Sequence, residues 1–156
     1  MAPYKKLSTR RVEKGISLRE LAEKVSISID SLYDIENIPH EAYDQASIKT
    51  IKQLCQFLDI DFYELYEIKC EFCKNAKLFC DDLPRGKLIE KYRNLAGLTQ
   101  EDLADQLGFY IEGIKKLESD DNYIEGWDFE TIIELSRILN IPCQRLFCVS
   151  CPKCHH

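Results

Sequence analysis

An internal repeat restricts what this chain can fold into more than any other feature. Residues 15–22 (GISLRELA) resemble residues 97–104 (GLTQEDLA) at an offset of 82 (97 − 15). Residues 29–36 match residues 111–118 at the same offset, and after the following loop the offset becomes 81 (131 − 50). A chain with this self-similarity is expected to contain two copies of one supersecondary unit.

The repeat also sets the domain boundaries. We predict unit one over residues 1–73, a connector over residues 74–82, and unit two over residues 83–156. The connector KNAKLFCDD is short and contains apolar residues, so it does not have the composition of a flexible tether. The two units are therefore expected to pack together.

Each unit has the apolar periodicity of helices, with spacings of three and four residues and no alternating run typical of a strand. Ser17 and Thr99 predict helix N-termini. Glu20, three residues after Ser17, completes a capping-box pattern, and Asp102 gives a similar acidic arrangement after Thr99. The pattern predicts an all-α protein with helices over residues 5–14, 18–25, 29–37, 47–57, 62–67, 84–95, 100–107, 111–119, 128–139 and 143–147.

Composition and charge exclude several classes of function. The formal net charge of −6 means that nucleic-acid binding requires a local basic surface. The chain has three histidines, no phosphate-binding glycine loop and no nucleophile–base arrangement, so we do not expect an enzyme. No segment has the roughly 20 apolar residues of a membrane span or the pattern of a signal peptide, and we expect a cytoplasmic protein.

The segment at residues 97–104, together with Leu107-Gly108 and the segment IKKLE at 114–118, resembles the lambda-repressor-like (Cro/XRE) helix-turn-helix family. Unit one resembles it more weakly. The resemblance implies two tandem five-helix bundles, in which the third helix of each enters the major groove of double-stranded DNA. It also implies a structural ion pair in each unit, between Arg11 and Glu36 and between Arg93 and Glu118.

The same resemblance implies which positions face DNA. In unit two these are Thr99, Gln100, Tyr110, Ile111, Glu112, Lys115 and Lys116, and in unit one they are Ser28, Ser31 and Tyr33. Unit one has a leucine, Leu18, at the position of Gln100, and its third helix carries Asp30 and Asp34. We therefore expect DNA binding mainly from unit two.

The cysteines predict a metal site. Cys70 and Cys73 end unit one, Cys151 and Cys154 end unit two, and each pair has the two-residue spacing of adjacent zinc ligands. We predict one structural, four-cysteine zinc site that joins the ends of the two units. Cys55 and Cys143 lie on apolar helix faces and are interpreted as small core residues. Cys80 and Cys148 have no assigned role.

Three functions are consistent with these sequence features, because a fold does not determine a function. The first is a sequence-specific DNA-binding transcription regulator with two helix-turn-helix units and a structural zinc. The second is a protein-interaction module, an antitoxin or adaptor, whose acidic helix 29–37 binds a basic protein partner. The third is a redox or iron–sulfur sensing regulator, since Cys148, Cys151 and Cys154 match part of an iron–sulfur ligand run. A monomer acting as a pseudodimer and a homodimer both fit these functions.

Overall fold

The computed structural model describes residues 1–70 and 83–153, and every described element is helical. In unit one the helices are α1 Pro3–Glu13, α2 Leu18–Val25, α3 Ile29–Asn37, α4 Glu41–Asp44, α5 Ile48–Leu58 and α6 Phe62–Tyr66. In unit two they are α7 Arg85–Leu95, α8 Gln100–Leu107, α9 Ile111–Ser119, a 3₁₀ helix Tyr123–Gly126, α10 Phe129–Leu139 and α11 Cys143–Phe147. The predicted all-α class is confirmed. The connector at 74–82 lies outside the described residues.

Two short elements were not predicted from the sequence. They are α4 and the 3₁₀ helix, and each has only four residues, too few to show helical periodicity. Both contact the other unit, since α4 packs against α10 and the 3₁₀ helix packs against α5. Their positions correspond at the offset of 82, so the two contacts are equivalent.

Both predicted helix N-termini are confirmed, and each forms a capping box. The hydroxyl oxygens of Ser17 and Thr99 accept from the amides of Glu20 and Asp102, and the two carboxylates accept in return from the amides of the cap residues. The helix ends also correspond between the units. The described residues with a left-handed backbone form four pairs at the repeat offsets: Gly15 and Gly97, Ser26 and Gly108, Asp59 and Asn140, Glu67 and Cys148.

The two predicted ion pairs are present and hold equivalent elements together. Arg11 Nη2 lies 2.7 Å from Glu36 Oε2, and Arg93 Nε lies 2.5 Å from Glu118 Oε1. Each arginine also donates to the carbonyl oxygen of the residue just before the next helix's N-cap, at Ile16 and Leu98. One guanidinium in each unit therefore joins the first helix, the following turn and the end of the third helix.

The units share one core that runs through the contact between them. Tyr66 of unit one stacks on Phe129 of unit two with ring centroids 3.8 Å apart, and Phe129 stacks in turn on Phe147 at 5.3 Å. Phe62 of unit one approaches Phe147 at 5.1 Å. Trp127 is buried and stacks on Phe109, as expected of a core anchor. The predicted packing of the two units is found.

We expect Arg11→Ala to lower the free energy of unfolding by about 3 kcal/mol, because it leaves a buried carboxylate at Glu36 without its partner. The exposed Arg19→Ala on α2 is the matched control and should change stability by less than about 0.5 kcal/mol. Urea denaturation measures both. Equal midpoints for the two variants would contradict the structural role of the ion pair.

Candidate nucleic-acid interface and metal site

Three contacts hold α9, the third helix of unit two, in place. The first is the ion pair between Arg93 and Glu118. The second is a hydrogen bond from Gln100 Nε2 at the start of α8 to Glu118 Oε2, at 2.7 Å. The third is the close approach of α7 at Gly86, where a Cβ atom would lie 2.5 Å from the carbonyl oxygen of Glu118. These contacts hold the C-terminal end of α9, while Ile114 and Leu117 bury its inner face in the core.

The outward face of α9 presents the predicted cations to solvent. Lys115, Lys116 and Glu112 are exposed, Tyr110 at the N-cap is 87% exposed, and Ile111 is half-buried. The ammonium group of Lys116 also lies 5.6 Å from the centre of the Tyr123 ring, a cation–π distance. Both lysine side chains are thus accessible to solvent, and their predicted DNA contacts stay predictions.

Two predicted DNA-contact residues of unit two, Thr99 and Gln100, already form hydrogen bonds within the protein. The Thr99 hydroxyl donates to Asp102 Oδ2 at 2.7 Å, so its one donated proton is used by the helix cap. The Gln100 amide donates to Glu118, as described above. Their predicted phosphate contacts stay predictions, and the structure gives Gln100 a second task, which is to link the start of α8 to the end of α9.

The corresponding face of unit one has different chemistry. Ser28, Ser31 and Tyr33 are exposed on α3, and the hydroxyls of Ser28 and Ser31 lie 2.7 Å apart in the helix cap. Tyr33 takes the position of Lys115, and the half-buried Asp34 takes that of Lys116. A face with tyrosine and aspartate in place of two lysines repels a phosphate backbone instead of attracting it.

Two cations of unit one that the sequence patterns did not single out lie on the preceding helix. Arg19 and Lys24 are exposed on α2, where unit two has Glu101 and Gln106. The cations therefore lie on different helices of the two units. In unit one they lie on α2, beside Glu20 and Glu23, and α3 is acidic. In unit two α8 is acidic and the cations lie on α9, beside Glu112 and Glu118. A position-by-position comparison of the two copies would have found this difference.

The first cysteine of each pair lies at the same cavity. Cys70 and Cys151 both line an opening of about 650 Å³ together with Tyr63, Lys69 and Pro152. The segments that lead to these cysteines are held by equivalent residues of the opposite unit. Tyr63 of unit one donates to the carbonyl oxygen of Val149 at 2.7 Å, and Gln144 of unit two donates to that of Lys69 at 2.9 Å.

The other cysteines are placed differently. Cys73, Cys80 and Cys154 lie outside the described residues, and residues 1–70 and 83–153 contain no cluster of three or more metal-ligating side chains. Cys148 is exposed and lines a separate cavity beside Arg85 and Asp121. Cys55 is buried, as predicted, and Cys143 is half-buried against the core.

The comparisons with known proteins return one family. The family model described as Helix-turn-helix matches residues 7–65, and these residues therefore form a helix-turn-helix domain. The match lies in unit one, for which the sequence predicted the weaker resemblance, and it includes the buried residues Leu7, Leu21, Leu32 and Leu65. No curated protein and no solved structure matches the chain. None of the described helices is long and apolar enough to cross a membrane.

We expect the Cys55 thiol to be unreactive in the folded protein. Burial, reinforced by the carboxylate of Asp61, raises its pKa to about 12, so the reactive thiolate is absent near pH 8. Iodoacetamide should modify the exposed Cys148 and leave Cys55 untouched, and both should react in urea. Mass spectrometry of tryptic peptides checks this, and equal rates for Cys55 and Cys148 without denaturant would show that Cys55 is not a core residue.

Proposed function

We propose that this protein is a sequence-specific DNA-binding transcription regulator in which one chain carries two helix-turn-helix units related by duplication. The observation that supports it most directly is the exposed pair Lys115 and Lys116 on α9, a helix held at its C-terminal end. The helix-turn-helix match of unit one supports the same class of function.

In this proposal α9 enters the major groove of the DNA, and unit one contacts only the phosphate backbone. Lys115 and Lys116 bind phosphates or a guanine edge, and Glu112 accepts from the amino group of a cytosine. Unit one supplies phosphate contacts through Arg19 and Lys24 on α2 while its acidic α3 stays away from the backbone. The DNA target is then an asymmetric site: α9 recognises the bases of one half, and unit one contacts only the phosphates of the other half.

We expect the double variant Lys115→Ala, Lys116→Ala to weaken binding to a duplex selected from a random-sequence library with the unmodified protein. Loss of two phosphate contacts should reduce the slope of log K against log salt concentration by about 2. Fluorescence anisotropy at several salt concentrations measures the slope. The matched control, Lys49→Ala with Lys91→Ala, removes the same charge from exposed positions on α5 and α7.

Equal slopes for the double variant and its control would mean that α9 does not contact the DNA. Tyr33→Ala, at the α3 position that corresponds to Lys115, should leave the affinity unchanged. If it weakens DNA binding as much as the α9 variant does, unit one reads DNA through α3 and the asymmetric arrangement is wrong.

A second function is favoured by the surface of α3. Ile29 and Tyr33 are exposed one turn apart, with 38% and 54% of their surface accessible, and Asp30 lies beside them. An apolar strip flanked by carboxylates suits a basic protein segment better than a phosphate backbone. In this function unit one binds a basic protein partner, as an antitoxin or adaptor does. A pull-down that returns one stoichiometric basic protein and no DNA would favour it.

We further propose that Cys70, Cys73, Cys151 and Cys154 bind one structural zinc ion. The shared cavity of Cys70 and Cys151 supports this, as do the two hydrogen bonds that cross between the units just before these cysteines. Four thiolates complete the tetrahedral coordination of zinc and leave no position for water, so the ion is structural. It holds the ends of the two units together.

We expect about one zinc ion per chain of the protein purified under reducing conditions, measured by elemental mass spectrometry. Cys70→Ser should lose the metal and unfold at a lower urea concentration, because metal binding contributes to folding free energy. Cys148→Ser is the matched control and should keep the zinc, since Cys148 lines a different cavity. Protein without metal would overturn the site, and a visible iron chromophore would favour the iron–sulfur regulator.

A further inference from the structure

The contact between the two units has two equivalent flanks with unlike chemistry. On the first flank α5 of unit one packs against the 3₁₀ helix of unit two, and on the second flank α10 of unit two packs against α4 of unit one. A pairing of two identical units would make the flanks the same. The residues at corresponding positions show that they are not.

The first flank holds three charged side chains. Lys52 Nζ on α5 lies 2.7 Å from Glu125 Oε1, and Arg85 Nη1 lies 2.6 Å from the same oxygen. The exposed fraction of the side chain is only 22% for Lys52, 19% for Glu125 and 12% for Arg85. Arg85 also donates to the carbonyl oxygen of Leu146 at 3.0 Å. The charges on this flank are therefore largely removed from water and compensate one another.

Burial on its own would raise the pKa of Glu125, but the hydrogen bonds from Lys52 and Arg85 outweigh it and hold that pKa below its ordinary value. Glu125 is thus the acceptor that both cations of the first flank require at neutral pH.

The second flank has apolar and aromatic side chains at the corresponding positions. Ile133 stands where unit one has Lys52, Tyr43 stands where unit two has Glu125, and Pro3 stands where unit two has Arg85. Ile133 is partly buried against the core, and the Tyr43 ring contacts Phe129 edge-on at 5.8 Å. No charge is needed on this flank, and none of these three residues supplies one.

We propose that the contact surface of unit one fits unit two of the same chain and not a second copy of unit one. If two copies of unit one were paired through this surface, Lys52 would face Tyr43 on both flanks in place of the carboxylate of Glu125. If two copies of unit two were paired, the ion pair of Arg85 and Glu125 would face Ile133. Either pairing leaves a buried charge without its partner or against an apolar side chain, which is unfavourable.

The aromatic stack at the centre favours the same pairing. Phe129, which lies between Tyr66 and Phe147, corresponds to Ile48 in unit one, and Phe62 corresponds to Cys143 in unit two. Two copies of unit one would lack the central ring of Phe129. Two copies of unit two would keep a stack, with Phe147 at the position of Tyr66, but would lose the ring of Phe62. One chain therefore forms a complete pair of units, with α3 and α9 as its two unlike third helices.

A charge-reversal cycle in the full chain tests this pairing. Lys52→Glu and Glu125→Lys should each lower the urea midpoint, because each places like charges together on the first flank. The double variant should recover most of the loss, the remainder reflecting Arg85, which loses its acceptor. If the double variant is no more stable than the single variants, the two residues do not meet and the proposed pairing is wrong.

A mixing experiment shows whether the pairing is within one chain. The two single variants are combined in urea and refolded together, and their midpoint and sedimentation mass are compared with those of each variant alone. We expect no recovery on mixing and the mass of one chain. Recovery on mixing, with a mass of two chains, would mean that unlike units pair between chains. The same reversal at the exposed pair Glu134 and Arg137 is the control and should change neither quantity.

Discussion

The stacking of Tyr66, Phe129 and Phe147 across the contact between the units is the interaction on which the rest of the structure depends. A unit of about 70 residues buries only about 60% of the surface of its unfolded chain, which leaves it marginally stable by itself. The core that the two units share buries additional apolar surface and so stabilises both. It also brings α4 to the other unit, because Tyr43 of α4 packs edge-on against both Tyr66 and Phe129.

The two units keep the same internal supports and differ at their surfaces. Arg11 with Glu36 and Arg93 with Glu118 hold equivalent helices in equivalent ways, and the left-handed helix ends recur at matching positions. Side chains that point to solvent carry no such constraint, and those that point to the other unit need only match their partners there. The proposed division of roles, with α9 reading DNA and α3 left for another surface, follows from this freedom to diverge.

Most of the helical structure could be predicted from the sequence because its causes are local. The caps at Ser17 and Thr99 and the apolar periodicity of the long helices depend only on neighbouring residues. By contrast, α4, the 3₁₀ helix and the ion pair of Lys52 with Glu125 depend on contacts between units, which no local pattern reveals. Among candidate site residues, the exposure of Lys115 was predictable from helical spacing, whereas the use of Thr99 and Gln100 in internal hydrogen bonds was not.

Amide hydrogen exchange with and without a selected DNA duplex tests the central claim most directly. If α9 enters the major groove, exchange should slow at the start of α8 and along residues 110–116, while α3 and its cap at Ser28 keep their rates. Equal protection of α3 and α9 would contradict the asymmetric reading of DNA. Protection of α3 alone, or of neither helix, would contradict the assignment of α9 as the DNA-reading helix.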